Sequence, residues 1–214
     1  MKDNTLLPVK NIWAIGLIWL FHATAIIGIS IGYVDWFIEK TPLNLCLSLL
    51  LFLVVYPINT IKKWVAFLLF FAAGMFAEWL GITTGLLFGE YHYGTNFGVK
   101  IEGVPLLIGS YWAILTFITM SITDYLKTNI FLKMILAAAL MVLLDFFMEA
   151  SAARFNFWEF LNNEPPLLNY ICWFALGLLF QIILRALKIT GDKPFSMHLY
   201  LAQLFFFVYF YFYY

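Results

Sequence analysis

Charge is what this sequence has least of. Only 11% of its 214 residues are charged and 64% are hydrophobic, whereas a soluble domain carries about 25% charged residues. That shortage excludes an ordinary water-solvated surface, so lipid must be most of the solvent. Twelve basic residues balance twelve acidic ones, and the zero net charge gives nucleic acid nothing to bind. Cysteine is also scarce. Cys46 and Cys172 stand far apart in apolar runs and read as small buried hydrophobes, with no zinc or redox spacing between them. No His-x-x-x-His or Glu-x-x-His pair occurs. A metal centre would have to draw on Glu78, Asp145, Glu149, His22 and His92 without such a pair, and none is expected. The last apolar run has no lysine for a retinal Schiff base, and no internal repeat suggests a transporter.

What the chain does have is long apolar runs. A spanning helix needs roughly 20 mostly apolar residues, and seven stretches qualify: 11–31, 42–58, 64–88, 105–123, 130–152, 168–187 and 196–214. The expected fold class is therefore all-α, a polytopic membrane protein with one domain over 1–214. The first run could pass for a signal peptide, but it continues past Ala23-Thr24-Ala25 and carries His22, so it is expected to remain as a helix. Basic residues set the orientation. Lys2, Lys10, Lys62, Lys63, Lys127, Lys133, Arg185, Lys188 and Lys193 fall on one side, and only Lys40, Lys100 and Arg154 on the other. The positive-inside rule then puts the N-terminus in the cytoplasm and the C-terminus on the opposite side of the cell membrane.

Against this background three acids stand out. Asp145 and Glu149 lie four residues apart on one face of the fifth run, and Glu78 lies in the third. Gly74, Gly81 and Gly85 lie near the face of Glu78, where small residues let another helix approach. All three acids belong to the outer halves of their helices, at similar depth. An intramembrane carboxyl is by default a functional-site hypothesis. With no intramembrane Lys or Arg beside them, the three cannot comfortably all be ionised, and at least one should hold its proton near neutral pH. Such an acid can protonate a substrate; the alternative is a structural hydrogen-bonded pair. His22 reads as a satisfied interhelical histidine. Two aromatic-rich loops lie on the outer side, at 89–104 and 153–166, and the glycines of the first suggest a tight loop or short hairpin. The tail from Phe205 to Tyr214 has nine aromatics in ten positions, either an interfacial belt or one wall of a groove for a long conjugated ligand.

The run Glu78-Trp79-Leu80-Gly81, then Phe88-Gly89-Glu90-Tyr91-His92-Tyr93, Gly103-Val104-Pro105 and Trp112, resembles the integral-membrane carotenoid biosynthesis proteins of the CruF type, including the bisanhydrobacterioruberin hydratases. Leu144-Asp145 through Met148-Glu149, Phe157-Trp158, Asn169-Tyr170 and Trp173-Phe174 match further blocks, so the resemblance covers residues 74–176. Ala150 stands where that pattern often has proline, and Tyr111 where a polar residue often precedes the Trp.

The resemblance implies hydration of the terminal C1=C2 bond of an acyclic carotenoid ψ-end, in lycopene, γ-carotene or a C50 relative. An acid protonates C2, a tertiary cation forms at C1, and water captures it. Asp145 or Glu149 is expected to donate the proton, the other carboxylate or Glu78 to orient water, and Asn169 to help hold it. Trp112, Trp158, Trp173, Tyr91 and Tyr170 are the expected aromatic contacts to the substrate, since aromatic faces stabilise a cation. No cofactor is implied. An end-group cyclase or isomerase would use the same acid and cation, and a carotenoid or lipid carrier would use the cavity without the chemistry.

Overall fold

The computed structural model describes residues 8–214; Lys2, one of the bases used to set the orientation, lies outside them. The protein is an all-α polytopic bundle. Seven helices or helical pairs among the described residues are long and apolar enough to cross a membrane. In chain order these are α1 (Val9–Ser30), the pair α2 (Val34–Ile38) and α3 (Thr41–Val55), α4 (Ile61–Thr84), α5 (Leu106–Thr123), α6 (Ile130–Ala152), α7 (Leu167–Ala186) and α8 (Lys193–Tyr213).

The ends depart from the sequence expectation for local reasons. The second span begins at Val34, well before 42, because a five-residue helix leads into the Pro42 start of α3. It stops at Val55, not 58: Tyr56 precedes Pro57 and is extended (ψ 131°), as proline demands of its predecessor. Helix α4 starts early, at Ile61, where the Thr60 hydroxyl caps the Lys63 amide. It ends at Thr84, not 88, because Gly85 takes the left-handed conformation (φ +68°) that closes a helix. Gly85 is therefore a cap and not part of an interhelical stripe. Helix α8 starts at Lys193 because Asp192 caps the Phe195 amide at 2.8 Å.

Helix α5 is the central post, buried along nearly its whole length. A buried helix in lipid must satisfy its polar groups internally. Thr116 and Thr119 bond back to the carbonyls of Trp112 and Leu115, at 2.7 and 2.8 Å. Gln181 of α7 reaches the Thr116 carbonyl at 3.0 Å and the Thr119 hydroxyl at 3.1 Å. At the α5–α6 end of the bundle Arg185 pairs with Asp124 at 2.6 Å.

The opposite end carries a small lid. Strand β1 (Tyr91–Tyr93) pairs antiparallel with β4 (Trp158–Phe160), with Tyr91 opposite Phe160 and Tyr93 opposite Trp158. Side chains alternate across a strand, so Tyr91, Tyr93, Trp158 and Phe160 all point inward, while His92 and Glu159 face out. The glycine-rich loop contains the hairpin β2 (Lys100–Ile101) and β3 (Val104–Pro105). Its turn residues, Glu102 and Gly103, both have positive φ, as a two-residue hairpin requires.

Helix α4 packs closely on α5 at Gly74. A Cβ on Gly74 would lie 2.7 Å from the Trp112 side chain. Gly74→Ala is expected to destabilise the protein by about 1–3 kcal/mol through overpacking. Gly16, with nothing near its Cβ position, should tolerate alanine without loss. Thermal unfolding of both variants in detergent checks the contrast; equal midpoints would contradict this packing.

Candidate functional site: a carboxyl cavity beneath an aromatic lid

One face of α4 reads Gly74, Glu78, Gly81, at helical spacings that align them. The missing side chain of Gly74 admits Trp112, and that of Gly81 admits Tyr91, whose hydroxyl would lie 2.9 Å from an added Cβ. These are the groups that reach Glu78. Trp112 Nε1 donates to Oε1 at 2.8 Å, Tyr93 donates to Oε2 at 2.8 Å, and Tyr91 donates to the same oxygen. An indole N–H can only donate, so Glu78 is held as an acceptor from two directions.

On α6, Asp145 and Glu149 share the inward face. The Asn169 amide of α7 bridges them, 2.9 Å from Asp145 Oδ2 and 3.2 Å from Glu149 Oε1. Glu149 Oε2 accepts from Trp158 Nε1 at 2.7 Å. Of the six oxygens on the three acids, only Asp145 Oδ1 has no hydrogen-bond partner among the described residues. Asn169 thus positions the two α6 acids, and both of its N–H groups are used in doing so.

All three acids border one cavity of about 230 Å³. Trp112, Tyr91, Trp158, Asn169 and Trp173 border it too. Trp112 and Trp173 are stacked, with centroids 3.8 Å apart and planes 17° off parallel. At the rim, Thr24, Trp36, Lys40 and Leu43 are exposed and open it toward the side of the bundle between α1 and α3. Lys40, the one cation on the rim among the described residues, is turned to Glu39 at 3.7 Å.

Tyr170, expected among the aromatic contacts, is not brought to the cavity. It lies outside the cavity, half-buried, with its ring 5.9 Å from Phe146. Asn169 and Trp173 are four residues apart and share the inward face of α7, and the helix turns the intervening Tyr170 aside. The His22 hydrogen bond stays within its own helix, from Nδ1 to Ile18 O at 2.8 Å, and its ring borders the cavity. His92 sits on the outer face of the lid, away from the acids. Within the tail, Phe206 and Phe207 line the cavity, while Phe212 is exposed.

Sequence reasoning missed Tyr93, Tyr111 and Gln203, all of which line the cavity. The alternation Tyr91-His92-Tyr93 was the available signal for the first, since a strand would face both tyrosines the same way.

Burial, and then the charge of Glu78, push the phenols of Tyr91 and Tyr93 well above their ordinary pKa of 10.0. The folded protein keeps these protons where the unfolded chain gives them up. Their contribution to stability is therefore whole below pH 10 and falls as pH rises above it. Alkaline unfolding should start near pH 10, and the double variant Tyr91→Phe, Tyr93→Phe should flatten that pH dependence. An unchanged alkaline slope would contradict the buried-phenol geometry.

A family model described as carotenoid biosynthesis protein matches residues 41–213, most of the chain and all of the residues that touch the three acids. No curated protein and no solved structure matches it. The matched span, with its apolar helices enclosing one cavity, shows that this multi-pass membrane protein belongs to the carotenoid biosynthesis protein family and has a role in making carotenoids.

Proposed function

We propose that the protein is a carotenoid 1,2-hydratase, with Asp145 as the proton donor. The observation that carries this is the free oxygen, Asp145 Oδ1, on an acid that borders the cavity. Every other carboxyl oxygen is already an acceptor. Two like charges four residues apart in a low-dielectric site repel, and no cation among the described residues relieves them, so the Asp145–Glu149 pair holds one proton between them. The free oxygen is where that proton can point at a substrate.

The reaction needs an acid, a dry cation-tolerant surface and water. Asp145 delivers its proton to C2 of the terminal alkene, and the π electrons leave a tertiary cation at C1. The stacked Trp112 and Trp173 offer π faces, each contributing about 0.5–2 kcal/mol to a cation. Glu78 anchors the Trp112 indole by its N–H, which fixes the ring edge-on to the acid. Water then adds at C1. Ligand cavities that engulf a whole small molecule run to about 300–1,000 Å³. A cavity of about 230 Å³ suits one end group, with the polyene trailing out through the side opening into lipid. Lycopene, γ-carotene and C50 relatives all present such an end. We also place the basic side, with Arg185 and Lys133, in the cytoplasm, which sets the acids and the lid toward the outer half of the cell membrane.

Expression in a lycopene- or γ-carotene-making host should yield pigment one water heavier. Asp145→Asn should lower that product about 10²- to 10⁴-fold, the usual worth of a general acid, in a protein that still purifies folded. A product of unchanged mass would mean cyclisation or isomerisation. Full product from Asp145→Asn would overturn the assignment of the donor.

A further inference from the structure

Two buried polar side chains border the cavity outside the acid network and carry a nitrogen or oxygen with no hydrogen-bond partner among the described residues: His22 of α1 and Gln203 of α8. We propose that they bind the water molecule that is added to the substrate, with His22 Nε2 as the base that takes its proton; this rests on the hydratase reading above. Gln203 is 5% exposed, and its Oε1 is buried without a hydrogen-bond partner. Burying an amide this way is unfavourable unless water or a ligand completes it. His22 is also 5% exposed. The partner of its Nδ1 is a carbonyl, at 2.8 Å. A carbonyl can only accept, so Nδ1 carries the hydrogen and Nε2 of the neutral ring keeps a lone pair. Nε2 has no protein partner among the described residues.

Helix register brings the two together. Helices α1 and α8 run in the same direction, tied by Asn11 to Asp192 at 2.9 Å, Trp19 to His198 at 3.1 Å and Ser30 to Tyr209 at 2.8 Å. The His22 ring accordingly meets Phe206, one turn from Gln203, at 6.2 Å between centroids. Helix α8 also runs along α6. Tyr200 donates to the Leu140 carbonyl at 2.8 Å, and the ring of Tyr211 lies 5.3 Å from that of Phe147. Gln203 falls between these contacts, level with the turn that leads into Asp145. The water site is thus on the α1–α8 wall, and the proton donor on the α6 wall, of one cavity.

The step balances. Asp145 gives a proton to C2, forming a C–H bond and a cation at C1. A lone pair of the held water forms the C1–O bond, one O–H bond breaks, and its proton goes to His22 Nε2. Return of that proton to Asp145 restores the protein, and the sum is addition of one water.

The test is turnover of an acyclic carotenoid in D2O by wild type, Gln203→Met and His22→Phe, each purified as folded protein; Gln203→Glu and His22→Gln replace any that does not fold. Alcohol formation should fall about 10²-fold or more in each. Deuterium should still enter the recovered alkene at C2 and the terminal methyl groups, because protonation by Asp145 continues and the uncaptured cation loses a proton. Alcohol formed at the wild-type rate would overturn the water site. So would loss of deuterium exchange in parallel with the alcohol, since that places the defect at protonation or folding. A wild-type product without added water would instead defeat the hydratase reading itself.

Discussion

Three carboxyl groups lie inside this bundle with no cation paired to them among the described residues. Everything around the cavity answers that problem by hydrogen bonds. Glu78 takes donors from Trp112, Tyr91 and Tyr93, Glu149 takes one from Trp158, and a single amide, Asn169, serves both α6 acids. Neutral donors stabilise a buried carboxylate without filling the site with opposite charge, which a lysine or arginine would do. One acid oxygen is left over. Buried polar groups in lipid that lack partners are expensive, and that remainder is the feature on which the proposed role of Asp145 rests.

The lid is therefore part of the site and not only a cover. Its two short strands come from loops far apart in the chain, and their pairing puts Tyr91, Tyr93, Trp158 and Phe160 on one inward face. Three of those four side chains bond to Glu78 or Glu149. The same contacts that order the acids also close the lid end of the cavity. Thr24, Trp36, Lys40 and Leu43 stand exposed at the rim that remains open, between α1 and α3.

The bundle was largely legible in the sequence, because lipid imposes long apolar runs and the chain has little else. Helix ends were less so, since they turned on single residues: Pro57 shortened α3 and Gly85 shortened α4. The three acids stood out because ionisable residues are rare in such runs, and i,i+4 spacing alone put Asp145 and Glu149 together. Asn169 and Trp173 followed from their resemblance to known blocks, but Tyr170 came with them and faces elsewhere, a matter of one residue of helical phase. Tyr93 and Gln203 were not legible as site residues. The first depends on a strand pairing between distant loops, and the second on the register of two parallel helices, and neither leaves a local pattern.

The account's central claim is that a proton resides on Asp145 in the resting protein. Infrared difference spectroscopy in membranes near neutral pH reads it directly, as the carbonyl stretch of a protonated carboxylic acid. The account predicts that this band is present in the wild type, persists in Glu78→Gln and is missing in Asp145→Asn. A wild-type spectrum without the band, or a band abolished by Glu78→Gln but not by Asp145→Asn, would contradict it.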